Sequence, residues 1–459
     1  MPCLIVANTR TDEMVGDLAT MSPLERELGA ISALRLLWYA QAGDVVVLPV
    51  LPQPEFLAYL TAHTGVDPDS LVLLAPPPGA LGAGLLSPDR TADPDFRERL
   101  LTAVRQQSVT DVLVVYKDLP IVQLAESVGL RLPGHAFSAQ GGDAILNSKA
   151  GFRAVAAGSG APIAPGLTTT RPAEAIELVT RLLAAGDSVI VKQEFCSNGF
   201  GNEILSPADG VRMSGALRVV VLSDPPAVAD YFAQRWDWLT LGGRHQVVIE
   251  QYFTDCDTVY GEYLVDEDGP HLLGVGELRM APVPVSDIVP APALPAEART
   301  VLVDAGIRMG RAVHGIGYRG SFSTDAVLTP SGEIFLTETN ARMSGSTYLY
   351  VVMRDRVLDP AHRSSRVIWN AYDWLVPSFA EAVHKLAETG LAFARDTGTG
   401  VILTTDQLPE GTVGCCVFAE NMQSAEAIQR QLATLFGTAP ITGYPMPDDR
   451  TEELQAHGA

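Results

Sequence analysis

The stretch Ser323-Thr324-Asp325-Ala326-Val327-Leu328-Thr329-Pro330-Ser331-Gly332-Glu333-Ile334-Phe335-Leu336-Thr337-Glu338-Thr339-Asn340 decides how this chain is read. Residues 320–328 and 333–339 are β-rich, and Pro330-Ser331-Gly332-Glu333 between them is a turn signal. A turn centred between Ser331 and Gly332 makes a hairpin with Asp325 directly opposite Glu338. Directly opposed Cβ atoms lie about 4.5–5.5 Å apart, and like charges so placed are unfavourable. A shared proton, an arginine or a divalent cation has to offset the repulsion. Asn340 follows Glu338 by two residues and therefore shares its face. Two carboxylates and an amide oxygen form a hard-oxygen set suited to magnesium, which completes its octahedron with water and phosphate oxygens. The plainer reading is a solvated hairpin face. Arg342, two residues further on, continues the face towards anionic groups.

Upstream lie other residues of the same chemical kind. Residues 189–192 are an apolar strand ending in Lys192, and Ser197-Asn198-Gly199-Phe200-Gly201-Asn202 follows closely. Such small residues let backbone N–H groups approach phosphate oxygens. The segment is neither GxxxxGK[ST] nor GxGxxG, and an ordinary turn has a similar composition. Residues 247–252 form a further apolar strand carrying Glu250, with Asp257 seven residues on. A carboxylate at a strand end accepts from an exocyclic amine or from ribose hydroxyls, or simply stands exposed. Of the 32 basic residues only Lys117, Lys149, Lys192 and Lys385 are lysines. Two of these fall in this region, where a compact ammonium differs from a planar guanidinium.

The bulk properties bound the answer. A chain of 459 residues is expected to hold two to four domains. Its net charge of −22 lacks the basic footprint of a nucleic-acid-binding protein. No run approaches the roughly 18–20 apolar residues of a membrane span, and residues 1–6 lack the marks of a signal peptide. The five cysteines (Cys3, Cys196, Cys256, Cys415 and Cys416) show no metal-ligand spacing and fit a reducing compartment. These features point to a cytoplasmic protein.

Patterning divides the chain in three. Residues 1–135 alternate strands (4–7, 44–50, 71–74, 111–116) with helices (24–42, 94–107, 121–128), an α/β layer with a mostly parallel sheet. Residues 75–92 read as a long Pro/Gly loop, either a lid or disordered. Residues 136–375 are dominated by strands with helices at 148–157, 173–184 and 297–313, an α+β arrangement. Residues 281–295 read as a Pro-rich connector. Residues 376–459 read as helix, strand, strand, helix and a frayed polar tail. Asn8, Thr9 and Arg10, after the first strand, are either part of a substrate cleft or a plain loop.

The order Lys149, Lys192, glycine-rich loop, Glu250 with Asp257, then Asp325, Glu338 and Asn340 resembles the ATP-grasp superfamily. In that family a first lysine opens a helix, as Lys149 does in Asn147-Ser148-Lys149-Ala150-Gly151. A second ends a strand before a mobile glycine loop, as Lys192 does. The resemblance covers about residues 136–375 and implies an ATP-grasp fold behind an N-terminal Rossmann-like pre-ATP-grasp domain, with a small C-terminal α+β segment. It implies ATP and Mg2+ as cofactors. Lys149, Lys192, Ser197, Asn198, Gly199, Phe200, Gly201, Glu250, Phe253 and Asp257 would bind nucleotide, and Asp325, Glu338 and Asn340 the metal. Arg279 and Arg342 would face the γ-phosphate or carboxylate as catalytic residues. Arg279 replaces a basic residue often found two positions before the first metal acid, where this chain has Ser323. Asp257 is shorter than the glutamate usual for the ribose contact. The layout is also similar to the peptide ligases of pheganomycin biosynthesis, on the Gly/Asn loop, Glu338-Thr339-Asn340-Ala341-Arg342 and the C-terminal strand pair. The implied activity is ATP-dependent joining of an amino-acid-like carboxylate to a peptide amine through an acylphosphate. A phosphotransferase or a non-catalytic ATP-binding protein are the alternatives, and a homodimer is compatible with any of them.

Overall fold

The computed structural model describes residues 1–438; the expected frayed tail beyond them lies outside the described residues. The first sheet comprises β1 (Cys3–Val6), β2 (Val45–Val47), β3 (Val72–Leu74) and β4 (Asp111–Val114), all parallel in the order β3-β2-β1-β4. Val45, Val46 and Val47 are wholly buried, as a strand covered on both faces requires. The helix Pro94–Gln106 starts with proline, and Asp93 caps it by accepting from Phe96 N at 2.8 Å. The expected long loop at 75–92 is pinned from within. Buried Arg90 donates to the carbonyls of Pro49, Pro76, Pro77, Ala83 and Leu85, and the short helix Pro88–Thr91 lies within it.

A second sheet contains β5 (Gly166–Thr169), β6 (Ser188–Gln193), β7 (Asn202–Ser206), β8 (Arg218–Val221) and β9 (Val247–Tyr252), in the order β5-β9-β6-β7-β8. The helices Pro172–Ala184 and Pro225–Thr240 cover one face. The third sheet has β10 (Asp257–Asp266), β11 (Gly269–Met280), β12 (Pro284–Val289), β13 (Gly320–Leu328), β14 (Ile334–Asn340), β15 (Val367–Leu375), β16 (Gly400–Leu403) and β17 (Thr412–Ala419). Their order is β14-β13-β10-β11-β12-β15-β17-β16, with the short strand Gly437–Thr438 beside β15. The helix Ala296–Gly315 packs on β10 and β11.

Two expectations change here. The supposed connector at 281–295 contains β12, an inner strand paired with β11 and β15; residues 286–289 are buried, and its prolines stand at the strand's start and beyond its end. The C-terminal segment does not stand apart after residue 375. Its β17 pairs directly with β15, and its apolar residues share one cluster with the first domain, including Trp38, Phe56, Val401, Phe418 and Leu432. Trp38 Nε1 donates to Thr404 O at 2.9 Å, and Leu403 N to Tyr59 Oη at 3.1 Å. No helix among the described residues is long and apolar enough to cross a membrane.

Candidate active site

The hairpin β13–β14 sits at one edge of the third sheet, with Asp325 paired to Glu338 and Ser323 to Asn340. The expected opposition therefore exists, but by a different route. Gly332 takes a left-handed φ of 89°, and the tip is centred on Ser331, pairing Leu328 with Ile334. A bulge beside Asp325 then leaves Thr337 out of the ladder and restores the Asp325–Glu338 match. The carbonyl oxygen of Thr337 accepts from Lys192 Nζ at 3.3 Å. Burial, and next the Glu338 charge, hold the Asp325 carboxyl well above the usual carboxylate range. Asn340 Nδ2 donates to Asp325 Oδ2 at 3.2 Å and to Ser323 Oγ at 3.2 Å.

Behind the hairpin, Asn147 fixes the backbone and one cation. Its Oδ1 accepts from Ala341 N at 3.1 Å and Arg342 Nη1 at 3.0 Å. Its Nδ2 donates to Asp143 O at 2.8 Å and Ala341 O at 3.2 Å. Arg342 also donates to Asn340 Oδ1. Ser148 caps the next helix by accepting from Gly151 N at 3.1 Å. Lys149 opens that helix, buried, with Nζ 3.9 Å from Glu338 Oε2 and donating to Cys196 O at 2.5 Å. Desolvation lowers its pKa, opposed by Glu338.

Opposite the hairpin, on the second sheet, Lys192 and Glu250 form a buried ion pair across β6 and β9. Arg153 also donates to Glu250, and its Nη2 to Ala164 O at 3.2 Å. Arg153 was not anticipated; its position four residues after Lys149 on one helix face is the signal that points to it. Phe253 stacks on Phe335 with centroids 4.6 Å apart. Gly199 needs its left-handed φ of 79°, and a Cβ there would lie 2.6 Å from Gly215 O.

These groups open on one cavity of about 510 Å³. Lys192, Ser197, Asn198, Gly199, Glu250, Phe253, Asp325, Glu338, Asn340 and Arg342 all line it. Lys149 lines a small adjoining recess with Glu338 and Arg342. Four expected residues lie elsewhere. Phe200 and Gly201 do not line the cavity: Phe200 N closes the turn onto Ser197 O, and Gly201 O accepts from Gln193 N at 2.8 Å. Asp257 and Arg279 are a correction of face. Strand alternation sends Thr258 and Leu278 into the cavity, so Asp257 and Arg279 project from the other side, where Arg279 Nε pairs with Glu277 Oε1 at 2.9 Å.

Beyond the hairpin the cavity is walled by residues from three parts of the chain, most of them without a signal in the sequence. Thr9, Arg10, Arg35 and Tyr39 come from the first domain, Asp287 from β12, and Thr405, Glu410 and Thr412 from the C-terminal segment. Thr9 and Arg10 thus belong to the cleft; Asn8 instead braces β4, donating to Tyr116 O at 2.6 Å.

The donor set fits a hard divalent cation. Two opposed carboxylates carry a repulsion that a cation relieves, and Asn340 lies at their side with its amide hydrogen-bonded to Asp325.

Comparisons with known proteins bear on the fold. Residues 33–130 match the family model described as the pre ATP-grasp domain, and residues 381–432 match the PGM1 C-terminal domain. A sequence search of curated proteins finds no match. Among solved structures, the chain resembles the biotin carboxylase domain of Hydrogenobacter thermophilus 2-oxoglutarate carboxylase, a dimer in complex with MgADP, ADP and bicarbonate. The TM-score is 0.58 at 14% identity, over 95% of this chain and 90% of that one. For the Campylobacter jejuni biotin carboxylase the TM-score is 0.57 at 13% identity, over 95% and 92%. For PurK, N5-carboxyaminoimidazole ribonucleotide synthetase in its ADP complex, it is 0.54 at 13% identity, over 94% and 96%. Together with the three sheets and the edge hairpin, these likenesses establish an ATP-grasp fold preceded by a pre-ATP-grasp domain.

Proposed function

We propose that this chain is an ATP-dependent carboxylate–amine ligase that forms a peptide bond through an acylphosphate. The observation that carries the reading is the shared cavity. It is lined by Lys192 and Glu250 and by the Asp325–Glu338–Asn340 hairpin, and also by Arg342 and by residues of the first domain and the C-terminal segment. Such a layout suits a nucleotide at one end and two smaller reactants at the other. In this reading Ile190, Phe253, Val327 and Phe335 flank the adenine, and Lys149 and Lys192 neutralise phosphate oxygens. Asp325, Glu338 and Asn340 would hold Mg2+, whose chemistry there is charge neutralisation on phosphate oxygens. Arg342, held by Asn147, faces the carboxylate as it is phosphorylated and the oxyanion when the amine adds. The loop carrying Ser197, Asn198 and Gly199 shields the acylphosphate from water.

The finer reading is a peptide amine as acceptor and a role in natural-product biosynthesis, in the cytoplasm. What supports it is the resemblance carried by Glu338-Thr339-Asn340-Ala341-Arg342 and the C-terminal strand pair, together with cavity walls beyond Arg342 supplied by the first domain and the C-terminal segment. The dimeric state of one structural neighbour makes a homodimer the natural expectation.

The test is incubation with MgATP, a panel of carboxylates and hydroxylamine. The reading expects ADP together with a hydroxamate, and intact mass spectrometry with peptide amines then expects an amide product. ADP with a stable phosphorylated product and no hydroxamate would instead mark a phosphotransferase.

A further inference from the structure

The ligase reading leaves one chemical need unmet: something must take the proton that the attacking amine sheds. Glu262 lies mid-strand in β10, at 0% exposure, on the same side of the strand as the cavity-lining Thr258 and Tyr260. Its carboxylate accepts from Ser344 Oγ at 3.0 Å, Ser346 Oγ at 2.9 Å and Thr347 Oγ1 at 2.6 Å. Ser344 and Ser346 line the cavity directly, two and four residues after Arg342, and their hydroxyl oxygens are 2.8 Å apart. A cavity-facing hydroxyl thus lies one hydrogen bond from a carboxylate sealed from water.

We infer that Glu262 is the terminal proton acceptor of the reaction, working through the hydroxyls of Ser344 and Ser346. The inference rests on the ligase reading. The amine nitrogen forms the C–N bond to the acyl carbon, and the carbonyl π pair moves to oxygen. As that pair returns, the C–O bond to the phosphoryl group breaks and inorganic phosphate leaves. The N–H proton passes to a serine Oγ while that serine passes its own proton to Glu262. The products are amide, phosphate and protonated Glu262, which returns its proton to solvent once the cavity opens. Glu262 acts through another group, so its role is positional with respect to the substrate.

The electrostatics agree with the geometry. Burial, opposed by the three hydroxyls, raises the Glu262 carboxyl to about 7, in the range where a general base serves at neutral pH. The charged groups facing it are Asp287 on β12 and Asp325 on β13. Tyr39, Tyr260, Tyr263, Tyr318 and Tyr350 are the surrounding phenols, each with its pKa raised by burial.

The experiment compares two acceptors for one acylphosphate. Hydroxylamine is a weak base, already unprotonated at neutral pH, and has little need of assistance. An alkyl amine or peptide N-terminus does need it. With MgATP and a carboxylate accepted by the wild type, Glu262→Gln should form hydroxamate at a rate within about threefold of wild type. Amide formation should fall by about a hundredfold or more, the size of a general-base contribution. The double variant Ser344→Ala, Ser346→Ala keeps Glu262 and should show the same split. The wild-type amide rate should fall as pH drops below about 7, with no matching fall in hydroxamate. An equal loss of both products in Glu262→Gln would reduce the residue to a structural prop and overturn the inference. So would an unchanged amide rate. Absence of hydroxamate from the wild type with every carboxylate would defeat the ligase reading, and this inference with it, by a separate result.

Discussion

Replacing Asn147 by alanine should separate nucleotide binding from turnover. The side chain makes four hydrogen bonds, one of them to the Arg342 guanidinium. Bonds between neutral groups contribute about 0.5–1.5 kcal/mol each and those to charged groups about 1.5–3 kcal/mol. The site is partly buried, and water would replace some of them, so the net loss should be roughly 3 kcal/mol. For a domain of this size that corresponds to a fall in melting temperature of roughly 5–10 °C. The larger effect should be on chemistry. Arg342 would keep only its contact with Asn340, and residues bracing a reactive group typically contribute about 10–100-fold. ADP release at saturating MgATP should drop by that factor, while the dissociation constant for MgATP, read by calorimetry, stays within about twofold. Asn147→Asp keeps the acceptor for Arg342 and should recover part of the loss. Wild-type turnover with an unshifted melting curve in Asn147→Ala would refute the assignment of Arg342 as an oriented, reaction-facing cation.

Other outcomes follow from the same geometry. Glu338→Ala should abolish ADP release without lowering the melting temperature, because it removes one of two opposed carboxylates. Lys192→Met leaves Glu250 buried with Arg153 alone; it should cost about 3 kcal/mol in denaturant titration and weaken MgATP binding at least about tenfold. Arg279→Ala and Asp257→Ala lie on the far face of the sheet and should leave turnover within about twofold. Glu262 has a folded pKa raised from 4.5 to about 7, so its contribution is fully present below pH 4.5 and is lost as pH rises through 7. The difference amounts to roughly 3 kcal/mol, and Glu262→Gln should flatten the melting temperature across that window.

The sequence was most informative where chemistry and local periodicity coincide. Asp325, Glu338 and Asn340 were readable because a turn signal and a two-residue repeat act over a short span. Lys149 and Lys192 were readable from their rarity, from the helix that Lys149 opens and from the strand near whose end Lys192 lies. Arg279 and Asp257 lie off the cavity because the cavity-facing series runs through Thr258 in β10 and Leu278 in β11, and the spacing of charged residues does not reveal which alternate series faces inward. Glu262 and Asn147 gave no signal of function, since an acid in a strand and an asparagine before a helix are ordinary. Their partners, Ser344 and Arg342, lie 82 and 195 residues away. Most of the remaining cavity wall was illegible for the same reason: only Thr9 and Arg10 were candidates for a cleft, whereas Arg35, Asp287 and Glu410 join them from distant parts of the chain.

The pairing of β17 with β15 has a practical consequence for anyone dividing this chain. A cut after residue 375 looks like a clean boundary on a linear map, yet it would strip β15 of its neighbour along Trp369, Ala371 and Trp374. The fragment would present an unprotected strand edge carrying two tryptophans, a template for self-association. It would also lose one wall of the cavity, Thr405, Glu410 and Thr412. Grafting a foreign tail onto this chain, or trimming its own, is therefore an operation on the shape of its cavity and on its tendency to self-associate together.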